Sequence, residues 1–260
     1  MAMTSVDINC DMGEGFGHWQ YGDAPDAALM AVISSANVAA GYHAGDPNIM
    51  DEVARLCAEH GVGLGAHPGY GDRQGFGRRV IDAAPAELVN DILYQTGAIR
   101  EFGRRYGIPL RHVKPHGALY MTAANDAELS RLLVKALRKT DPDAALYCMG
   151  PSETFRIAQV AGQPTVRELF ADRDYDASGQ IVFARKMRRL DPQAVAEKCL
   201  RACTEGTVVT VDGETIALPF ESICFHSDTP GALEIGTAIH ETLTGAGITI
   251  APPPRVAAAA

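Results

Sequence analysis

The chain has 260 residues, 47% apolar and 21% charged, enough to bury a substantial core without disulfide or metal staples. A formal net charge of −9 argues against nucleic acid as the partner, because a phosphate-binding surface needs a basic excess or a basic stripe. Arg104-Arg105 and the run 185–189 are the densest basic stretches, and acidic neighbours mark both as solvated or subunit-facing surface.

An apolar run at 6–10 predicts the first strand, and a second run follows at 37–40. Asp46-Pro47 then sets a helix over 47–60, with Asp46 as N-cap and proline at the first helical position. A strand at 63–66 precedes a long helix over 84–106, stopped by Gly107. Next come a strand at 112–114, a helix at 126–140 that ends before Pro142, and a strand at 145–149. A helix at 152–161 and a strand at 166–170 lead into 172–189, which reads as a loop or small hairpin around Ser178-Gly179. The chain continues with a helix at 192–205, a hairpin at 208–214 turning at Asp212-Gly213, a strand at 222–225 and a helix at 230–244.

Seven strand candidates alternating with helices imply an α/β fold with parallel strands and crossover helices. Most strands are apolar on successive residues, as expected for strands covered on both faces. One domain over 1–250 is expected, followed by a Pro/Ala-rich tail at 251–260 that packs poorly. Six cysteines at 10, 57, 148, 199, 203 and 224 form no CxxC pair and read as reduced thiols. No apolar stretch approaches a membrane span, and Asp7 and Asp11 break up any secretory signal, so the expected location is cytoplasmic.

Polar residues collect next to glycine where the strands end. The first strand runs into Asp11-Met12-Gly13-Glu14, the second into 41–46 with His43 and Asp46, and the third into His67-Pro68-Gly69. The fourth ends in Lys114-Pro115-His116-Gly117, the sixth in Asp172-Arg173 and the seventh in His226-Ser227-Asp228. The carboxyl ends of parallel barrel strands open onto one face, so these groups should converge there. Taken singly, a histidine at a strand end is most simply structural and Asp46 is most simply a cap; six such ends together point to an enzyme.

Other motifs are missing. Residues 13–17 lack both the G-x-G-x-x-G spacing and the Gly-Lys-Ser/Thr of a Walker loop, no G-x-S-x-G elbow occurs, and the cysteines form no zinc pattern. Asp11 with His43, His67 or His116 offers mixed oxygen and nitrogen ligands. No two histidines share helical ligand spacing, however, and Lys114 places a positive charge nearby, so no bound catalytic metal is expected.

Five stretches carry a resemblance: DINCDMGEGFG at 7–17, SSANVAAGYHAGDP at 34–47, GAHPGYGDRQGFGRR at 65–79, HVKPHGALY at 112–120 and ELFADRDY at 168–175. In this order the chain resembles the LamB/YcsF family, whose characterised members are A subunits of 5-oxoprolinase, with similarity from about Val6 to Ile250. The resemblance implies a seven-stranded β/α barrel of the glycoside hydrolase/deacetylase type. It implies an ATP-dependent activity, with Mg2+ accompanying the nucleotide, that opens the lactam of 5-oxo-L-proline to L-glutamate together with B and C subunits. The chain departs from the family pattern at Ala40, where cysteine is common, at Tyr42, at Ser227 and in the loop 181–187.

Chemistry of this kind needs a base for water, an acid for the departing nitrogen and donors for phosphate or oxyanion. The expected assignment makes Asp11 or Glu14 the base, with His43 and His67 as proton carriers or anchors. Lys114 and His116 face the developing negative charge. Asn9, Asp46, Asp172, Arg173 and His226 are expected to bind substrate. The competing readings are a related cyclic-amide hydrolase with a shifted substrate, a metal-dependent deacetylase of amidated sugars, and a non-catalytic substrate carrier.

Overall fold

The computed structural model describes residues 3–182 and 188–254. Seven parallel strands close into a barrel: Ser5–Met12, Ser35–Ala39, Gly63–His67, Leu110–Val113, Ala145–Cys148, Thr165–Phe170 and Ser222–His226. Their order around the ring is their order along the chain, and the last strand pairs back onto the first from Asp7↔Ser222 to Asp11↔His226. Each predicted strand is present, and closure follows from that final pairing.

The predicted helices surround the barrel as Pro47–His60, Pro85–Arg105, Ala127–Thr140, Glu153–Ala161, Pro192–Glu205 and Ala232–Gly245. Asp46 caps the first of them through bonds from the Asn48 and Ile49 amides, and Gly61 ends it in the left-handed region at φ 70°. Two further helices, Asp26–Leu29 and Gly117–Asn125, were not expected from sequence. The second follows His116, which offers no side-chain cap, and buries Ala118, Leu119 and Tyr120.

Both predicted irregular segments have hairpin character. Thr207–Val209 pairs antiparallel with Thr215–Ala217, and Tyr175 bridges Ile181 across Gly179. Residues 183–187 of the altered loop, and with them part of the basic run 185–189, lie outside the described residues. Of the tail, Pro253 accepts a bond from Arg111 at 3.0 Å at the amino end of the barrel, and residues 255–260 lie outside the described residues.

The strands depart from expectation in one respect that matters for function. They are buried on both faces, but only the outward face is apolar. In the first strand Ile8, Cys10 and Met12 join the shell core under the helices. Asp7, Asn9 and Asp11 alternate with them and face the barrel axis. Their bonds show this, because they reach strands that are not neighbours in the ring: Asp7 to Tyr147 at 2.9 Å and Asn9 to Glu168 at 3.2 Å. Such bonds cross the lumen. Likewise His112 reaches Asn37 at 2.7 Å past the intervening strand. Residue 65 must be glycine for this, since a Cβ there would lie 2.0 Å from the His112 ring. The interior is therefore a polar column, and buried polar groups are tolerated there because they satisfy one another.

Candidate active site

The column ends at the carboxyl mouth of the barrel. Lys114 is 2% exposed, and its ammonium lies 2.9 Å from Glu168 Oε1, 2.9 Å from Cys224 Sγ, 3.1 Å from Asn9 Oδ1 and 3.4 Å from Asp11 Oδ1. Burial works against this charge, yet Asp11 and Glu168 are among the neighbours that hold it well above the ordinary lysine value. Glu168 is itself fixed by the Tyr120 hydroxyl at 2.9 Å.

Asp11 is the junction of the site. Its Oδ1 accepts from Asn37 Nδ2 at 2.9 Å, and its Oδ2 lies 3.2 Å from His67 Nε2 and 3.7 Å from His226 Nε2. Burial would push its carboxyl up, but His67, Lys114 and His226 together hold it well below the usual carboxylate range. His226 is oriented by Asp172, which meets Nδ1 at 2.9 Å and also accepts from the His226 amide at 3.2 Å. Asp172 in turn accepts from Thr229 and pairs with Arg173 at 2.9 Å; against burial, His226 and Arg173 hold it far below the carboxylate range.

On the other side of Asp11 lies a cluster of three imidazoles and one carboxylate. His43 and His116 stack in parallel with ring centroids 3.7 Å apart, and His67 meets both edge-on. Glu14 Oε1 lies 3.3 Å from His43 Nε2 and 3.4 Å from His116 Nδ1. Burial, then Asp11 and Asp228, push Glu14 well above the usual range, with Arg78 opposing them. Burial, followed by neighbouring histidines, holds His43 and His116 well below the ordinary imidazole value. Ligand atoms from Glu14, His43, His67 and His116 all lie within 4.8 Å of one another, a spacing that suits a metal ion.

Asp11, His67, Lys114, His116, Arg173 and His226 line one cavity of about 40 Å3, together with Arg78, Phe170 and Ile181. A larger cavity of about 320 Å3 opens at the opposite end, beneath Asp7 and against Pro252–Pro254. Of the two, the first is lined by Asp11, Lys114 and the imidazoles of His67, His116 and His226, and it is the candidate site.

Ten of the eleven residues singled out from sequence thus meet around one mouth: Asn9, Asp11, Glu14, His43, His67, Lys114, His116, Asp172, Arg173 and His226. Asp46 stands apart. Its Oδ1 caps its helix and its Oδ2 accepts from the Gly17 amide at 2.7 Å, so both oxygens are spent on holding loops. Sequence reasoning missed Asn37, His112, Tyr120 and Glu168, whose bonds position Asp11 and Lys114. The available signal was polar residues at alternate positions inside apparently apolar strands, as in Ser35 and Asn37 or His112 and Lys114.

All six cysteines are buried free thiols, and no described helix is long and apolar enough to cross a membrane.

Comparison with known proteins agrees with this architecture. The chain is 58% identical over 251 residues to a 5-oxoprolinase A subunit from Pseudomonas aeruginosa, covering 96% of this chain and all of the relative. Among solved structures, the lactam utilization protein from Thermus thermophilus superposes with a TM-score of 0.88 at 38% identity, over 95% of this chain and 99% of the other. A family 4 carbohydrate esterase from Streptomyces lividans shares the fold, with a TM-score of 0.50, 13% identity, and 96% and 93% of the two chains covered. The LamB/YcsF family model matches residues 6–258, and the chain belongs to the LamB/YcsF family.

Proposed function

We propose that the chain is the A subunit of an ATP-dependent 5-oxoprolinase and carries the groups that open the lactam. The observation behind this reading is an ionised Asp11 at the wall of a small polar cavity, flanked by an Asp172–His226 pair, in a chain whose full-length relatives bear that name.

An unstrained lactam resists water because its carbonyl is resonance-stabilised and its nitrogen leaves poorly. Transfer of the ATP γ-phosphoryl group to the lactam oxygen, a step we assign to the assembly with the B and C subunits and Mg2+, makes the carbonyl carbon electrophilic. Asp11 takes a proton from water as its oxygen bonds to that carbon. The carbon–nitrogen bond then breaks, and the nitrogen collects the proton that Asp11 took from water. His226 relays it through Nε2, 3.7 Å from Asp11 Oδ2, while Asp172 holds its Nδ1. A second water releases phosphate from the resulting acyl phosphate, so each turnover consumes one ATP and two waters and yields glutamate, ADP and phosphate. Arg173, at the cavity wall, suits the substrate carboxylate, and Lys114 compensates Asp11 and the developing oxyanion.

A related cyclic amide is the second reading, favoured by Ile181, which lines the cavity where the sequence departs from the family pattern. The test is glutamate formation from 5-oxoproline, with and without ATP, by this chain alone and with B and C subunits. ATP-dependent glutamate from the mixture is the expected result. If competent partners yield none, while another lactam is opened in a substrate panel, the second reading replaces the first.

A further inference from the structure

The tautomers of His67 and His116 are fixed by backbone carbonyls, and they leave lone pairs facing one another. His67 Nδ1 lies 2.7 Å from the Lys114 carbonyl oxygen. A carbonyl only accepts, so Nδ1 carries the hydrogen and the neutral ring has a bare Nε2. His116 Nε2 lies 2.7 Å from the Phe76 carbonyl oxygen, which by the same argument leaves its Nδ1 bare. These two bare nitrogens point at each other across 3.0 Å. Two further oxygens crowd the same point: Asp11 Oδ2 at 3.2 Å from His67 Nε2, and Glu14 Oε1 at 3.4 Å from His116 Nδ1 and 3.3 Å from His43 Nε2. Among the described residues, Glu14 Oε1 and both His43 nitrogens are buried without any hydrogen-bond partner. Lone pairs do not converge in a buried cluster without a donor or a cation between them.

We propose that Glu14 Oε1, His43 Nε2, His67 Nε2 and His116 Nδ1 form a binding site for one first-row divalent metal ion of the zinc class. The donor set decides the class, since three imidazoles and one carboxylate suit zinc, cobalt or iron(II) rather than magnesium or calcium, which prefer oxygen throughout. The carbonyl bonds to His67 and His116 are the outer contacts that orient metal-binding histidines. One ion satisfies all four donors at once, whereas protons would have to occupy at least two positions to do the same.

The surrounding backbone is shaped to this cluster. A Cβ on Gly69 would lie 2.4 Å from His43 Nδ1, and one on Gly77 would lie 2.8 Å from both the His43 and the His116 side chains. Phe76, which supplies the carbonyl to His116, is the one described non-glycine residue in the left-handed region, at φ 53°. Strain of that kind persists where the surroundings require it. The proposal departs from the expectation of no bound metal, which rested on sequence spacing and on Lys114. In the structure Lys114 spends its charge on Glu168 and on Asp11 Oδ1, and Oδ2 is the oxygen beside the cluster.

The inference shares its site with the proposed lactam-opening reaction but is tested without turnover. Chelator-treated chain, by itself, is titrated with Zn2+ and with Co2+ by calorimetry, and the cobalt form is followed by visible absorption. One ion per chain is expected, with affinity lowered at least about tenfold in Glu14→Gln and in His116→Ala, and unchanged in the surface variant His60→Ala. Circular dichroism establishes that each variant is folded, and Glu14→Gln keeps the shape of the site should His116→Ala fail. Absence of saturable binding by folded wild-type chain overturns the proposal, as does binding that survives in the folded variants. Either negative result leaves the oxoprolinase reading standing, and loss of that activity reading leaves the binding result standing.

Discussion

Asp7 and Asp11 lie on one strand, four residues apart, facing the same barrel axis, 1% and 2% exposed. They differ in company. Asp7 accepts from four hydroxyls, those of Ser34, Ser35, Tyr147 and Ser222, and burial pushes its carboxyl up despite them. Asp11, at the carboxyl end, meets His67, Lys114 and His226 and is held ionised. Neutral donors at the bottom make a structural knot; the Lys114 ammonium at the mouth keeps a carboxylate ionised. The division follows the general rule for barrels, with stability at the amino face and chemistry at the carboxyl face.

The largest expected effects test that contrast directly. In the proposed assembly with B and C subunits, Asp11→Asn should lower kcat by about 10²–10⁴-fold, the usual worth of the general base proposed for it. Asp7→Asn should leave kcat unchanged and cost about 1–3 kcal/mol of stability by disrupting buried hydrogen bonds. Steady-state rates and thermal melts of the two variants measure both. Equal losses of kcat would erase the distinction. Next in size is Lys114→Met, which removes the cation from between Glu168 and Asp11. Stranding buried carboxylates costs about 3–5 kcal/mol, readable as a fall in urea midpoint.

A smaller effect separates the two environments by the sign of their pH dependence. The raised carboxyl of Asp7 contributes stability that is full below the unfolded carboxylate value and is lost as pH rises through the folded one. The cost of Asp7→Asn should therefore shrink between pH 4 and pH 7. Asp172 has a depressed carboxyl, so its contribution is present above the unfolded value and lost on acidification. The cost of Asp172→Asn should grow over the same interval. Melting curves of wild type and both variants at the two pH values give the slopes, and parallel slopes contradict the assignment.

The fold was largely legible because apolar runs and glycine-flanked strand ends mark the seven strands. The six polar clusters at those ends foretold most of the mouth. What was not legible is three-dimensional. The alternation of Asp7, Asn9 and Asp11 is visible in the sequence, yet the intervening Ile8 and Cys10 made the run look apolar on both faces. Glu168 and His112 matter only because closure points them across the lumen at Lys114 and Asn37. The four proposed metal donors come from positions 14, 43, 67 and 116, so no local spacing reveals them, and the tautomers that expose the lone pairs of His67 and His116 are set by carbonyls from elsewhere. The helix Gly117–Asn125 escaped notice because it starts directly after a site motif without a capping side chain.

Asp46 gives the smallest and most discriminating prediction. It was singled out twice from sequence, as a helix cap and as a substrate contact, and its position in the structure favours the first. One oxygen serves the Asn48 and Ile49 amides and the other the Gly17 amide. Removing a cap of this kind costs about 0.5–2 kcal/mol. Asp46→Ala should therefore lower the melting temperature modestly while KM for the lactam stays at the wild-type value. Glu14 lies on the loop that Asp46 tethers through Gly17, so a small fall in kcat is compatible with a loosened loop. A rise in KM at constant kcat is not. That pattern is the mark of lost ground-state binding, and it would return Asp46 to the residues that touch substrate, moving the edge of the site from the barrel mouth out to the amino end of the helix Pro47–His60.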